Sequence, residues 1–267
     1  MLSLKKISFH LFALGMLVIT VIPFALTIII SLSPLDLIAH GEVDISKFSL
    51  DSYVYILTKF PFDSWMINSV IVAFFVTVLN LVINSMLGYS MARHKGMGWL
   101  LFVIIACMMI PSQVLMAPTY MLLAEMGLIN SYLGLILPFI FNLFFAFLMK
   151  QYYESMPFEL EESAYMDGLS EMKTFWLIIF PIAKIPLISQ AILLFTANWN
   201  AYLWPSIIGS SSDMYTLPVG LNSFHGQHEQ FWNQIMAGVV LLTIPTIIIF
   251  LIFQKYFTKG IATSGLK

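Results

Sequence analysis

Charge and cysteine are what this chain has least of. Only 10% of its 267 residues are charged and 60% are hydrophobic, where a soluble domain carries roughly a quarter charged residues. With a mean hydropathy of +0.90, a water-soluble globule is excluded. The single cysteine, Cys107, permits no intrachain disulfide; inside an apolar run it is expected to act as a small buried hydrophobe. The net charge is −2, and no basic patch is interleaved with aromatics, so nucleic acid is not an expected partner. No Gly-x-x-x-x-Gly-Lys-Ser/Thr stretch is present to cradle nucleotide phosphates. No nucleophile with its base can be assembled, which leaves a membrane-embedded enzyme the weakest functional class. His225 and His228 with Glu229 have permissive metal spacing, but Gly226 interrupts a helix there and no third ligand is anchored nearby, so no metal site is expected.

What is present is apolar sequence in long runs. About 20 helical residues cross a ~30 Å hydrocarbon core, and six runs of that order occur near residues 11–32, 68–91, 99–124, 130–149, 185–208 and 235–253. The runs are continuous rather than alternating, which favours helices over a barrel. The expected fold is all-α: one polytopic membrane domain over residues 1–267, with six transmembrane helices. The first run follows Lys5 and Lys6 like a signal peptide, but it is too long and lacks a nearby small-x-small cleavage site, so it reads as a retained anchor. Prolines at 23, 111, 118, 138, 205 and 245 lie in or at the ends of the runs and invite kinks.

Basic residues near span ends favour the cytoplasmic side. All but Lys47 and Lys59 of the 12 fall on one side of this topology: Lys5, Lys6, Arg93, Lys95, Lys150, Lys173, Lys184, Lys255, Lys259 and Lys267. Both termini and the loop 150–184 are therefore expected in the cytoplasm of a cell whose plasma or inner membrane holds the protein.

That loop is the long charged segment of an otherwise apolar chain. Pro157 suits a first helical turn, and Glu159, Glu161 and Glu162 put negative charge at the positive end of a helix. Gly168 offers a left-handed stop and Ser170 a new N-cap, giving a helix, a sharp turn and a second helix ahead of Pro181 and Pro186. Leu160 and Ala164, four apart, share a face, while the carboxylates crowd the others. The expectation is a small apolar knob with a charged rim, suited to docking into a partner's groove.

The stretch Glu162-Ser163-Ala164, three residues, Gly168, nine residues, Ile178, one residue, Phe180-Pro181 resembles the EAA loop of ABC importer permeases. That pattern reads Glu-Ala-Ala, Gly, Ile and Leu-Pro at the same spacings; Ser163 and Phe180 depart from it. Further segments resemble the carbohydrate subfamily: Asn68-Ser69, Leu87–Arg93, Met109–Val114, Gly127–Pro138, Trp199-Asn200, Thr216–Leu221, Trp232 and Gln254–Lys267. The resemblance implies a heterodimer with a second permease, two cytoplasmic ABC ATPase subunits, and an extracytoplasmic solute-binding protein delivering sugar. No cofactor is then expected on this chain, ATP and Mg belonging to the ATPases. The ATPase-coupling residues it implies are Glu159, Leu160, Glu161, Glu162, Ser163, Ala164, Asp167, Gly168, Ile178 and Pro181.

No Asp, Glu, Lys, Arg or His lies within the runs away from their ends, which argues against proton coupling and for a neutral solute held by amides and aromatic rings. Candidate pathway residues are Gln113, Asn142, Asn198, Trp199, Asn200 and Tyr202, with Thr196 and Trp204 beside them. Amides in membranes also join helices, and Trp and Tyr also mark interfaces. A secondary carrier or channel for a small neutral solute is the alternative; it would transport in vesicles as a single chain, which an ATP-driven permease would not.

Overall fold

The computed structural model describes residues 4–223 and 231–264, with side chains described for residue 6 and from 8 to 254 within those limits. His225, His228 and Glu229 lie outside the described residues. Among the described residues every regular element is helical.

The chain runs through α1 (Leu4–Leu32), α2 (Leu35–His40), α3 (Asp51–Lys59), α4 (Phe62–Arg93), α5 (Gly98–Met108), α6 (Met116–Glu125), α7 (Tyr132–Ile136), α8 (Leu143–Glu154), α9 (Glu159–Met166), α10 (Glu171–Thr174), α11 (Phe180–Ile182), α12 (Lys184–Trp199), α13 (Leu203–Ile208), α14 (Leu217–Asn222) and α15 (Trp232–Ser264). Stretches of α1, α4 and α15 are each long and apolar enough to cross a membrane unbroken. Three further helix pairs reach the same length and apolar composition only when taken together across a bend: Gly98–Met108 with Ser112–Glu125 at 89°, Tyr132–Phe139 with Leu143–Glu154 at 45°, and Glu171–Ile182 with Lys184–Trp199 at 76°.

Three of the expected apolar runs do not form single unbroken helices. The run 99–124 turns at Met109–Pro111, where proline has no amide hydrogen to continue the ladder. The run 130–149 breaks at Ile140–Asn142, just after Pro138. The run 185–208 ends at Trp199, and α13 is a separate short helix. Pro23 and Pro245 sit inside unbroken helices.

The chain packs as two compact units, Met1–Ser64 with Leu217–Pro245 and Trp65–Thr216 with Thr246–Lys267. In the first, α1 and α3 meet where Ser31 Oγ and Tyr53 OH share a hydrogen bond of 2.7 Å. Much of the rest of α1 is bare; Phe9, Phe12 and Ile19 are each about two-thirds exposed, as suits a helix that meets lipid or another chain.

The second unit is organised by α4. Gly88 lets α8 approach closely: a Cβ there would stand 2.6 Å from Met149 Cβ and 2.8 Å from the Lys150 amide nitrogen. Asn80 and Asn84, one turn apart and buried, serve the 45° break. Asn80 Nδ2 donates to the carbonyls of Val76 and Phe139, Asn84 Nδ2 donates to Asn80 Oδ1 at 3.1 Å, and Asn84 Oδ1 accepts from the Asn142 amide at 3.2 Å. A helix broken in an apolar setting leaves backbone groups without water, and these two amides satisfy them. Nearer the start of α4, Asn68 Nδ2 donates to the carbonyls of Asp213 and Tyr215, its Oδ1 accepts from Tyr132 OH, and Trp65 Nε1 donates to Ser212 O.

Candidate functional site

The helical hairpin carrying the EAA-like pattern forms as its residues require. α9 begins at Glu159 with Phe158 at its N-cap, leaving Pro157 outside the helix rather than in its first turn. Glu159, Glu161 and Glu162 occupy the first turn, where the helix dipole favours negative charge. At its other end the Leu169 amide bonds to Ala164 O and the Gly168 amide to Tyr165 O, both at 3.0 Å. This paired closure needs a left-handed residue, and Gly168 supplies it at φ +80°. The second arm starts after Ser170, which sits at the cap position without a side-chain bond. It continues through α10, a π-helical turn at Phe175–Ile179 and α11 before bending into α12.

One face of α9 is buried and the other bare. Glu159, Leu160, Glu162, Ser163, Tyr165, Met166, Asp167 and Gly168 are exposed, with Met166 the most so at 88%. Ala164 is buried, so it does not join Leu160 in an outward apolar knob; the exposed apolar surface is instead Leu160, Tyr165 and Met166. Ile178 is half-buried and Pro181 exposed.

Glu161 departs most from the sequence reading. Expected on the charged rim, it is fully buried. Its Oε1 accepts from Arg93 Nε at 2.6 Å and its Oε2 from Tyr89 OH at 3.0 Å. Arg93 Nη2 donates to Met156 O at 3.0 Å, and its guanidinium lies 5.7 Å from the centre of the Phe158 ring. A buried carboxylate is tolerated only when paired and hydrogen-bonded, and this one is both. Tyr89 also packs on Phe175 of the second arm, ring centres 5.0 Å apart, and edge-on to Tyr153 at 5.8 Å. The last turns of α4 thus hold both arms of the hairpin. A cleft of about 460 Å³ opens beside them between Met86, Ser90 and His94 of α4 and its end and Ser170, Glu171 and Met172 of the second arm. At its rim His94 Nε2 meets a Glu171 carboxylate oxygen at 3.2 Å.

The pathway candidates are not gathered into one site. Gln113 is exposed, in the short turn at the 89° break. Asn142 caps α8, its Oδ1 accepting from the Phe145 amide at 3.2 Å, and is committed to the second break. Asn198 is half-buried and bonds back to Leu194 O. Trp199 is buried and stacked on Phe195 at 5.8 Å and 13°. Asn200 is exposed at the end of α12 with its amide on Thr196 O, and Tyr202, also exposed, lies past that helix. Trp204 is buried and donates to Gly134 O. Cys107 is exposed rather than buried. Two groups that the sequence reading missed are Gln190 of α12 and Thr77 of α4, whose buried Nε2 and Oγ1 have no hydrogen-bond partner. An amide inside an apolar helix was the available signal for Gln190. Among the described residues no group of three or more His, Cys, Asp or Glu could hold a metal ion.

Residues 84–263 match the family described as "Binding-protein-dependent transport system inner membrane component". The chain is 34% identical over 272 residues to the arabinooligosaccharides transport system permease protein AraQ of Bacillus subtilis (strain 168), covering 99% of this chain and 97% of that one. It is 29% identical to the lactose transport system permease protein LacG of Rhizobium radiobacter, over 92% of this chain and 91% of that one. With the sn-glycerol-3-phosphate transport system permease protein UgpE of Yersinia pestis bv. Antiqua (strain Antiqua) it shares 33% identity, over 76% and 74%. Among solved structures, a chain of a bacterial ABC transporter involved in the import of the acidic polysaccharide alginate superposes with a TM-score of 0.85, at 22% identity, over 96% of this chain and 99% of that one; this likeness speaks to the fold.

Proposed function

Because the chain belongs to the family of binding-protein-dependent transport system inner membrane components, and is therefore a multi-pass membrane permease subunit, we propose that it moves a sugar or oligosaccharide as one half of an ATP-driven importer. The sugar class follows from relatives named for arabinooligosaccharide and lactose transport. It agrees with the six apolar runs of the sequence, which hold no ionisable residue away from their ends. A second permease completes the pathway, a solute-binding protein delivers the sugar from outside, and two ATPase subunits, holding ATP and Mg, dock from the cytoplasm. The distribution of lysines supports an orientation with both termini and the 157–184 hairpin on the cytoplasmic side.

The observation that carries this reading is the two-faced α9. Its inner face is fixed by Ala164 and the buried Glu161, while Glu159, Leu160, Glu162, Met166 and Asp167 stand bare beside it. A rigid helix with an unpartnered acidic and apolar surface is shaped to enter another protein's groove. On this reading Ile178 and Pro181 shape the second arm and do not touch the ATPase. Among the pathway candidates, this reading gives solute contact to Gln113, Asn200 and Tyr202, supported by their exposure.

Charge reversal tests the surface. Glu162→Lys should leave the permease folded and paired with its companion but lose the ATPase subunits during purification from native membranes. Retention of ATPase at the wild-type ratio, or sugar uptake into vesicles holding this chain alone, would overturn the proposal.

A further inference from the structure

Arg93 is the single arginine in a chain whose other 11 basic residues are lysine, and its position uses what lysine cannot provide. The planar fork donates in two directions, Nε to Glu161 at 2.6 Å and Nη2 to Met156 O at 3.0 Å, while its Cζ lies over the Phe158 ring. Residues 156, 158 and 161 are the approach and first turn of α9, so one side chain at the end of α4 fixes both the position and the direction of that helix. Glu161 is buried and Arg93 largely so, with side-chain exposures of 1% and 12%. A buried pair of this kind adds little net stability over an apolar substitute but strongly favours one geometry once formed.

We infer that Arg93 and Glu161 are positioning residues for transport, joining the docking helix to α4 so that the two move as one body and the ATPase stroke enters the bundle through α4. The inference rests on the ATP-driven reading above. The alternative route runs along the chain, through Gly168 and the second arm into α12, and needs no ion pair.

The experiment uses the complete assembly of both permeases, ATPases and binding protein in proteoliposomes, in a Cys107→Ser background carrying labels at Met166→Cys on α9 and Phe74→Cys on α4, both exposed positions. In the wild type the distance between labels should stay constant with and without ATP while uptake proceeds. In Glu161→Gln and Arg93→Lys, the ATPases should co-purify and hydrolyse ATP as before, the distance should broaden and shift on ATP binding, and sugar moved per ATP should fall by about tenfold, within the range by which coupling residues act. Arg93→Met with Glu161→Met, which removes the buried charges together, serves as the stability control: its melting temperature should return to that of the wild type while coupling stays low. A wild-type distance that changes with nucleotide, or coupling within about twofold of wild type in the single variants, would overturn the inference. So would full coupling in the Met/Met pair, which would reduce the ion pair to packing. A wild-type assembly with no ATP-driven uptake would instead fail the proposed function, before any variant is read.

Discussion

Gly168 is where the hairpin turns, and its structural environment separates two causes that are easily merged. A Cβ added there meets nothing within 4 Å, yet the backbone is at φ +80°. Within this chain a substitution therefore suffers from handedness and not from crowding. Non-glycine L-residues lose about 1–2 kcal/mol in this conformation, which shifts the turn population by about 5- to 30-fold. Asparagine tolerates the region better than alanine because its short polar side chain bonds locally. Gly168→Ala and Gly168→Leu should then impair coupling to a similar degree, and Gly168→Asn should recover most of it. The assay is sugar uptake per ATP hydrolysed by the reconstituted assembly, with ATPase retention measured alongside. The reasoning is refuted if leucine is far worse than alanine while asparagine brings no recovery, since bulk and not handedness would then control the site.

Three further outcomes follow from the packing. Gly88→Ala should destabilise the assembly by about 1–3 kcal/mol, the usual effect of overpacking, because the new Cβ would meet the backbone of α8 at Lys150; a lowered melting temperature checks this. Asn84→Leu removes the acceptor for the Asn142 amide and the partner of Asn80 Oδ1, so each orphaned group should cost about 1–3 kcal/mol, seen as earlier melting and faster amide exchange at residues 142–145. Gln190→Leu should raise the melting temperature, since it deletes a buried amide nitrogen that has no partner; loss of uptake together with greater stability would identify Gln190 as a group held ready for solute.

The sequence reading succeeded where one signal was enough. The hairpin was legible because glycine, acid and proline types have few alternatives at their positions, and α4 because its apolar run is long and uninterrupted. The breaks within apolar runs were not legible. Hydropathy is continuous through Met109–Pro111 and Ile140–Asn142, and it carries no information about whether a second helix supplies partners for freed backbone groups. Pro23 and Pro245 have the same composition signal as Pro111 and produce no break. Glu161 was misplaced because three carboxylates in one turn looked equivalent. Helical spacing did hold a clue, as Phe158, Glu161 and Ala164 recur every third residue on one face, and a lone arginine among lysines was the matching half of the pair.

One helix explains why these missed features belong together. Down α4, Asn68 holds the 213–215 segment and Tyr132, Asn80 and Asn84 hold the 45° break, Ser85 bonds to Tyr153, and Tyr89 with Arg93 holds α9. Each bent or short element in that list has backbone or side-chain groups that an apolar surround cannot satisfy, and each finds its partner on this one unbroken helix. The 45° break is sustained by polar side chains on a helix that does not break, so displacement of α4 acts on every one of these contacts at once. Binding α9 to its last turn by a charge pair with a buried carboxylate places the docking surface at the end of a helix whose side chains bond to several other elements of its unit.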